Sequence, residues 1–314
     1  MNRTLAAAGL AALMSTAAGA ETVGVSMALF DDNFLTVLRN GMEATAAEMD
    51  GVDLQVEDAQ NDVARQLDQI NNFIAGGVDA IIVNPVDTSA TQAMSDAAAG
   101  AGVPLVYVNR EPINVDALPD TQAFVASNEV DSGTLETMEV CRLLAESGAT
   151  EADVYVLMGE LSNQAAVQRT ADIHDVMASG ECGVTLNVLD EQTANWSRDE
   201  AQDLMTNWLS TGTEFDAVIS NNDEMALGAI QALKAAGLSM DEVIVAGVDA
   251  TQDALAAMQA GELDVTVFQD AAGQGAGALD AALKLARGET VEQKVYVPFQ
   301  LVTPDNMADY MAAN

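Results

Sequence analysis

Basic residues are scarce in this chain, whose 314 residues contain 11 Lys and Arg against 49 Asp and Glu, giving a net charge of −38. Nucleic-acid binding needs Lys and Arg clustered against phosphates, and so few of them cannot form such a surface. An anionic membrane surface would repel the chain for the same reason. Both kinds of partner are therefore excluded, and a hydrophobic fraction of 49% also excludes intrinsic disorder.

Metal-binding side chains are equally rare, with one His and two Cys in the whole sequence. A zinc site of the usual His and Cys ligands cannot be built from them, and there is no Cys-x-x-Cys pair. The sequence also lacks a Gly-x-Gly-x-x-Gly after its first strand, a phosphate-binding loop, a Gly-x-Ser-x-Gly elbow and an EF-hand loop. We therefore predict no cofactor, no metal ion and no catalytic activity.

The first twenty residues have the pattern of a secretory signal peptide. Arg3 gives a short positive region, an apolar stretch follows at 5–14, and Ala18-Gly19-Ala20 forms a small-residue cleavage site. The apolar stretch is shorter than the ~20 residues that a membrane-spanning helix needs. A buried N-terminal helix is the alternative interpretation. We predict cleavage after Ala20 and a periplasmic protein.

Export would place Cys141 and Cys182 in an oxidising compartment, where disulfides form and persist. A bond between them would close a span of 182 − 141 = 41 residues. In the chain-entropy description, such a bond stabilises the fold by about 3–4 kcal/mol. The alternative is two buried thiols that never meet.

The periodicity of apolar residues alternates between that of strands and that of helices along the mature chain. This order is typical of parallel sheets covered by helices on both faces. The two halves also resemble each other: Asp79–Asn84 and Asp216–Asn221 are both apolar strands that end on Asn and lead into a helix. We predict an α/β fold of two doubly wound parallel-sheet lobes.

Polar residues follow many of the predicted strands, where ligands of open parallel sheets bind. They comprise Asp31-Asp32-Asn33, Asn84, Asn109-Arg110-Glu111, Asn221-Asn222-Asp223, Asp249 and Gln269. Carboxylates, amides and guanidinium groups suit the adjacent hydroxyls of a neutral polyol, and the rings of Phe34 and Trp196 could cover its apolar faces. Alternatively, the Asn and Asp residues only form turns and helix caps, and Trp196 only packs in the core.

Several of these segments carry a family resemblance that extends over nearly all of residues 22–310. The chain resembles the exported sugar-binding proteins of bacterial ABC importers, the group that includes the glucose/galactose- and ribose-binding proteins. The resemblance is carried by Phe30-Asp-Asp-Asn-Phe34, Asp58-Ala-Gln-Asn-Asp62, Asn109-Arg-Glu-Pro112, Thr193-Ala-Asn-Trp196, Asn221-Asn-Asp-Glu-Met-Ala-Leu-Gly228 and Gly247-Val-Asp249.

This resemblance implies the type I periplasmic binding protein fold, with a three-segment hinge near 126–128, 268–270 and 293–296. Residues 21–127 and 270–294 would form the N-terminal lobe, and residues 128–269 and 295–314 the C-terminal lobe. The implied ligand-binding residues are Asp32, Phe34, Asn109, Arg110, Arg169, Trp196, Asn222, Asp249 and Gln269. The implied partners are a small sugar or polyol and an ABC permease in the inner membrane, with the binding protein itself a monomer.

Two positions depart from the glucose/galactose branch, because Asn163 and Ala165 stand where that branch has His and Asp. Loss of that carboxylate argues against glucose and galactose, and residues 148–153 are too few for the calcium loop of that branch. We therefore favour an inositol-like cyclic polyol, as in the inositol- or rhizopine-type proteins that the chain also resembles. The alternatives are a hexose or pentose, a sensor that signals through a membrane receptor, and an exported glycosidase that uses Asp32 and Asp249.

Overall fold

The computed structural model describes residues 20–311. The predicted signal peptide therefore lies outside the described residues except for its last residue, Ala20. Strands and helices alternate along the described chain and form two parallel sheets, each covered by helices on both faces. The α/β fold of two lobes that the sequence predicts is confirmed.

The first sheet has six parallel strands in the order β11-β5-β4-β3-β1-β2. Helices α1 and α9 pack on one face, and α2 and α3 on the other. The bounds of these elements are β1 Glu21–Met27, α1 Asn33–Ala47, β2 Val52–Asp58, α2 Val63–Gly76, β3 Ala80–Val83, α3 Thr91–Ala101, β4 Leu105–Val108, β5 Gln122–Ala126, α9 Ala271–Ala286 and β11 Lys294–Tyr296.

The second sheet has four parallel strands in the order β7-β6-β8-β9, and the antiparallel pair β10-β12 continues it through isolated bridges. Helices α4 and α5 cover one face, and α6, α7 and α8 cover the other. The bounds are α4 Glu129–Glu146, β6 Glu151–Met158, α5 Gln164–Ser179, β7 Thr185–Thr193, α6 Arg198–Leu209, β8 Ala217–Ser220, α7 Asp223–Ala235, β9 Ile244–Ala246, α8 Gln252–Gln259, β10 Thr266–Phe268 and β12 Gln300–Val302.

Each sheet, with its helices, buries an apolar core between its layers. The four residues of β3 and the four of β4 have no exposed surface, as expected for central strands of a parallel sheet. Burial of a Val or Ile side chain stabilises a fold by about 1.5–3 kcal/mol, so these short strands contribute more than their length suggests.

The chain passes between the two sheets three times, after β5, after β10 and after β11. The first two crossings, at 127–128 and 269–270, lie within the segments that the family resemblance implies for the hinge, and the third, at 297–299, follows the third segment. Residues 294–296 pair with β5 in the first sheet, so the last crossing follows Tyr296 rather than residue 294. The parallel pairing of this short strand with β5 explains the two-residue difference from the predicted lobe boundary.

Cys141 and Cys182 form a disulfide, with 5.1 Å between their Cα atoms. The bond joins the middle of α4 to the segment between α5 and β7, within the core of the second lobe. It is remote from the cleft between the lobes. None of the helices within residues 20–311 is both long and apolar enough to cross a membrane.

Candidate functional site

The carboxyl ends of both sheets face each other across a cleft, and a cavity lies within it. All nine residues that the family resemblance implies for ligand binding line this one cavity. Leu35, Asn163 and Ala165 complete the lining. Residues from twelve positions spread over 237 residues of chain thus meet here, from Asp32 to Gln269 (269 − 32 = 237).

The first lobe supplies Asp32 and Phe34 from the start of α1. Asp32 caps this helix, since its Oδ1 accepts a hydrogen bond from the Leu35 backbone nitrogen at 2.7 Å. Burial raises the pKa of the Asp32 carboxyl above its ordinary value, although the cap bond and the charge of Arg110 oppose the shift. The cap interpretation of this residue is therefore correct, and the same side chain also faces the cavity.

Asn109 and Arg110 follow β4 on the same wall of the cavity. Asn109 has a left-handed backbone with φ of 66°, and its Oδ1 accepts a hydrogen bond from Asn84 Nδ2 at 3.2 Å. Arg110 is buried, and its Nη1 donates to the Pro85 carbonyl oxygen at 2.9 Å. Burial lowers the pKa of Arg110, and the charge of Asp32 counteracts this effect. Asn84 is therefore a positioning residue for the site rather than part of its lining.

Arg169, on α5, lies at the floor of the second lobe. Its Nε and Nη2 donate to the two carboxylate oxygens of Glu129 at 2.7 and 3.1 Å, and its Nη1 donates to the Asn221 carbonyl oxygen at 2.7 Å. Nη2 also reaches Gln269 Oε1 at 3.3 Å. Burial acts to lower the pKa of Arg169, but the carboxylates of Glu129, Asp249 and Glu136 together outweigh it and the net shift is upward. The guanidinium is therefore held in place by hydrogen bonds to the protein itself.

Asp249 follows β9 and lies 3.9 Å from Arg169, measured from Oδ1 to Nη1. It is 4% exposed, and its φ of 124° is unusual for a residue other than glycine. Burial raises the pKa of Asp249 well above its ordinary value, with Arg169 opposing and Asp223 reinforcing the shift. A strained backbone at a carboxylate that faces a cavity is typical of functional sites.

Trp196 forms another wall, and its backbone is also left-handed, with φ of 63°. Its indole lies directly on Gly159, so that a Cβ added at that glycine would come within 2.1 Å of the ring. The guanidinium of Arg169 lies 5.7 Å from the ring centroid, within the range of a cation–π contact. Core packing and a position in the cavity wall were the two alternatives for Trp196, and the structure shows both: the ring packs against the core of the second lobe and also lines the cavity.

The remaining predicted residue of the second lobe is Asn222, the N-cap of α7. Its Oδ1 accepts a hydrogen bond from the Met225 nitrogen at 3.0 Å, so the strand-end Asn is again both a cap and a cavity residue. The adjacent Asn221 turns inward, where its Oδ1 accepts from Gly159 N and Thr170 Oγ1.

Sequence reasoning missed two kinds of residue. Asn163 and Ala165 line the cavity, although the family resemblance marks them as departures from the glucose/galactose branch and does not include them among the implied ligand-binding residues. Glu129 does not line it, yet it holds Arg169 in place as a buried ion pair. No sequence signal identifies Glu129, because its partner lies 40 residues away on another helix.

A wider mouth leads to the cavity between the rims of the lobes, and hydrogen bonds cross it. Asn33 Nδ2 donates to Glu224 Oε1 at 2.7 Å, and Asn61 Nδ2 donates to Glu160 Oε1 at 3.1 Å. At the edge of the cleft, the Thr88 nitrogen and hydroxyl both donate to the Ser162 carbonyl oxygen at 3.0 Å. The lobes are therefore closed over the cavity.

The chemistry of this lining favours binding over catalysis. It combines two carboxylates, two guanidinium groups, amides and two aromatic rings, which together suit adjacent hydroxyls on a compact ring. Within residues 20–311, no group of three or more His, Cys, Asp or Glu side chains could hold a metal ion.

Comparisons with known proteins agree with this geometry. Residues 23–290 match a family model described as a periplasmic binding protein domain. A Rhizobium meliloti protein, whose name assigns it provisionally to rhizopine binding, is 67% identical over 304 residues, or 97% of each chain.

Two solved structures are also similar to this chain. An ABC transporter solute-binding protein from Bacillus halodurans C-125, with bound myo-inositol, has a TM-score of 0.87 and 43% identity, covering 94% of this chain and 99% of that one. A Caulobacter myo-inositol binding protein, also with bound myo-inositol, has a TM-score of 0.81 and 29% identity, covering 93% and 96%.

Proposed function

Because this chain belongs to the periplasmic binding proteins, as a solute-binding component of an ABC importer, we propose that it captures a cyclic polyol of the inositol type between its lobes. The observation that carries this proposal is the cavity between the lobes, lined by Asp32, Arg110, Arg169 and Asp249 together with two aromatic rings. The similar Bacillus halodurans structure, which holds myo-inositol, supports the same ligand class.

In this proposal, the polar residues of the lining bind the rim of the ring and the aromatic residues cover its faces. Asp32, Asn109 and Arg110 contact the ligand from the first lobe. Phe34 and Trp196 lie against opposite faces of the ring. The contacts from the second lobe come from Arg169, Asn222, Asp249 and Gln269.

Ligand binding would favour the closed arrangement, since only that arrangement brings residues of both lobes to the same molecule. The closed protein would then deliver its ligand, as a monomer, to a permease in the inner membrane. We further propose export to the periplasm with cleavage after Ala20, which leaves Glu21 at the mature N-terminus, where β1 begins. A sensing output through a membrane receptor would use the same closed form.

A thermal-shift screen of the mature protein tests the ligand class. The panel contains myo- and scyllo-inositol, an amino-inositol, glucose, galactose, ribose and an acyclic sugar alcohol. A ligand at ~100 times its dissociation constant adds about 2.7 kcal/mol to the free energy of unfolding, which raises the melting temperature measurably. We expect the inositols to give the largest shifts.

Isothermal titration calorimetry then gives the affinity of each compound that shifts the melting temperature. A larger shift with glucose, galactose or ribose would contradict the inositol assignment while keeping the sugar-binding function. Absence of a shift with every compound would contradict the polyol proposal. Recovery of the ligand unchanged after prolonged incubation distinguishes binding from glycosidase activity.

A further inference from the structure

We propose that Asn163 determines which polyol this site accepts: its side-chain oxygen accepts a hydrogen bond from one ligand hydroxyl, and its side-chain nitrogen links the two lobes. The proposal rests on the proposed function of the cavity and adds a residue to it. Asn163 is 1% exposed and lines the cavity at the start of α5.

Asn163 is the N-cap of α5 but makes no capping hydrogen bond with its side chain. An asparagine at this position ordinarily accepts a hydrogen bond from a backbone nitrogen of the first helical turn. Asp62 and Asn222 do so at the starts of α2 and α7, with donor–acceptor distances of 3.0 Å in both cases. The Asn163 amide is therefore turned away from its own helix.

The neighbours of Asn163 Nδ2 fix the orientation of this amide. The nitrogen lies 3.0 Å from Ser162 Oγ, 3.4 Å from the Val86 carbonyl oxygen and 3.5 Å from a carboxylate oxygen of Glu160. A carbonyl and a carboxylate can only accept, so the nitrogen must face them. The oxygen then lies on the other side, where it is buried and has no hydrogen-bond partner among the described residues.

A buried acceptor without a donor is unfavourable, and it remains so until a donor arrives. Ala165 also lines the cavity, and its methyl side chain cannot donate a hydrogen bond to the Asn163 oxygen. A hydroxyl of the ligand would satisfy that oxygen directly. Because the acceptor cannot be satisfied by an apolar C–H group, a ligand that lacks this hydroxyl is penalised.

The contact with Val86 connects this recognition to lobe closure. Val86 belongs to the first lobe and Asn163 to the second, so their hydrogen bond crosses the cleft, close to the bonds between Thr88 and Ser162. Separation of the lobes would expose the amide to water, which satisfies both its atoms. The oxygen is therefore left without a donor only when the lobes close over the wrong ligand, which selects against closure.

The test is a cycle of protein variants and ligands, measured by isothermal titration calorimetry. The ligands are myo-inositol and its series of monodeoxy analogues, and the proteins are wild type and Asn163→Ala. We expect one deoxy position to weaken wild-type binding by about 10- to 100-fold, as expected for a buried acceptor without a donor. In Asn163→Ala, the penalty at that position should fall to about twofold or less, while penalties at other positions persist.

Asn33→Ala is the matched control, because Asn33 also bridges the lobes but lies only in the mouth. It should weaken binding of all the compounds by one common factor and leave every deoxy penalty unchanged. A second control compares melting temperatures without ligand. Asp62→Ala removes the capping hydrogen bond of α2 and should lower the melting temperature. Asn163→Ala removes no capping hydrogen bond and should leave the melting temperature unchanged.

Two results would overturn the proposal. In the first, Asn163→Ala loses as much affinity for every monodeoxy analogue as wild type does. In the second, these losses are again unchanged and the ligand-free melting temperature of Asn163→Ala falls as it does in Asp62→Ala. The second result would make Asn163 a structural cap. Failure of the wild type to bind myo-inositol contradicts the proposed function instead. The same cycle then uses the compound that the screen identifies and its deoxy analogues.

Discussion

Arg169 and Asp249 illustrate how single side chains prepare this cavity for a ligand. Arg169 already donates to Glu129, Asn221 and Gln269, so little of its rotational freedom remains to be lost on binding. Asp249 faces the same guanidinium at 3.9 Å, at the limit of an ion pair. The pair therefore offers a fixed donor and a fixed acceptor side by side, which matches two neighbouring hydroxyls.

Asp249→Ala should weaken ligand binding by about 2–4 kcal/mol, because a buried hydrogen-bonding group is lost while its partners stay buried. Titration calorimetry with the ligand from the screen measures the change. Asp199→Ala is the control, since Asp199 is exposed in the mouth and should have little effect. An affinity for the Asp249 variant equal to that of wild type would remove this residue from the site.

Gly159→Ala should displace the indole of Trp196 from the cavity wall. The new Cβ would lie 2.1 Å from the ring, and no side chain tolerates such a contact without moving. We expect a loss of binding comparable to that of Trp196→Ala, with fluorescence of the indole reporting its altered surroundings. Gly100→Ala serves as the control, because a Cβ there meets nothing within 4 Å. Tight binding by both site variants would assign Trp196 to core packing alone.

Much of the cavity lining was predictable because strand ends and helix starts carry recognisable polar residues. Asp32, Asn222 and Asp249 stood out in this way, and the family resemblance added Arg169 from within a helix. The orientation of the Asn163 side chain could not be predicted, for a physical reason. The sequence shows an Asn before a helix, but whether its oxygen caps that helix or faces a cavity depends on neighbours such as Val86, which lies in the other lobe.

Short strands are harder to predict from the local sequence than helices are. The apolar residues of α8, Gln252–Gln259, have helical spacing, and this spacing is set locally. By contrast, β5, β11 and β12 were not predicted as strands. Two of them have only three residues, and β11 exists because Lys294–Tyr296 pairs with a strand about 170 residues earlier, which no local pattern encodes.

The disulfide should stabilise the second lobe without influencing the cavity. It closes a span of 41 residues between α4 and the segment before β7. Cys141→Ala/Cys182→Ala should lower the free energy of unfolding by about 3–4 kcal/mol in denaturant titrations. Ligand affinity should stay at the wild-type value, since no lining residue touches the bond. The double variant should also become insensitive to reducing agents, and a large change in affinity would contradict the separation of the two functions.

Asp223, the first residue of α7, should make the fold less stable as the pH rises. Burial raises its pKa to about 7, although hydrogen bonds from Thr251 and Thr266 oppose the shift. In the unfolded chain its pKa is near ~3.9. Between about pH 4 and 7 the folded protein therefore retains a proton that the unfolded chain has lost, and the stability present below about pH 4 declines as the pH rises through 7.

Denaturant titrations from pH 5 to 8 test this prediction with Asp223→Asn. The variant should reduce the pH slope of stability by about 1.4 kcal/mol per pH unit at its steepest, the effect of one proton. Glu136 and Asp249 retain raised pKa values, so part of the slope should remain. Measurement in about 0.3 M NaCl screens repulsion among surface carboxylates and isolates the buried groups. An unchanged slope would contradict the assignment to Asp223.

The two lobes together determine how tightly a ligand is held, because closure adds contacts that belong to neither lobe alone. Asn33 and Asn61 in the first lobe reach Glu224 and Glu160 in the second. These bonds lie in the mouth and do not line the cavity. They contribute the same free energy to closure whichever ligand is bound, and so they affect the affinity for all ligands equally and do not affect selectivity.

Ligand addition should therefore compact the protein, and loss of one bridge should weaken that response. Small-angle X-ray scattering should show a smaller radius of gyration with ligand than without it, because the ligand-free population includes open molecules. Asn33→Ala removes a solvent-exposed hydrogen bond, which contributes about 0.5–1.5 kcal/mol, so every dissociation constant should rise about two- to tenfold. At saturating ligand the variant should reach the same radius as wild type, since closure is less favourable but not prevented. A constant radius in both proteins, with and without ligand, would mean that the lobes stay closed and that the ligand enters by another route.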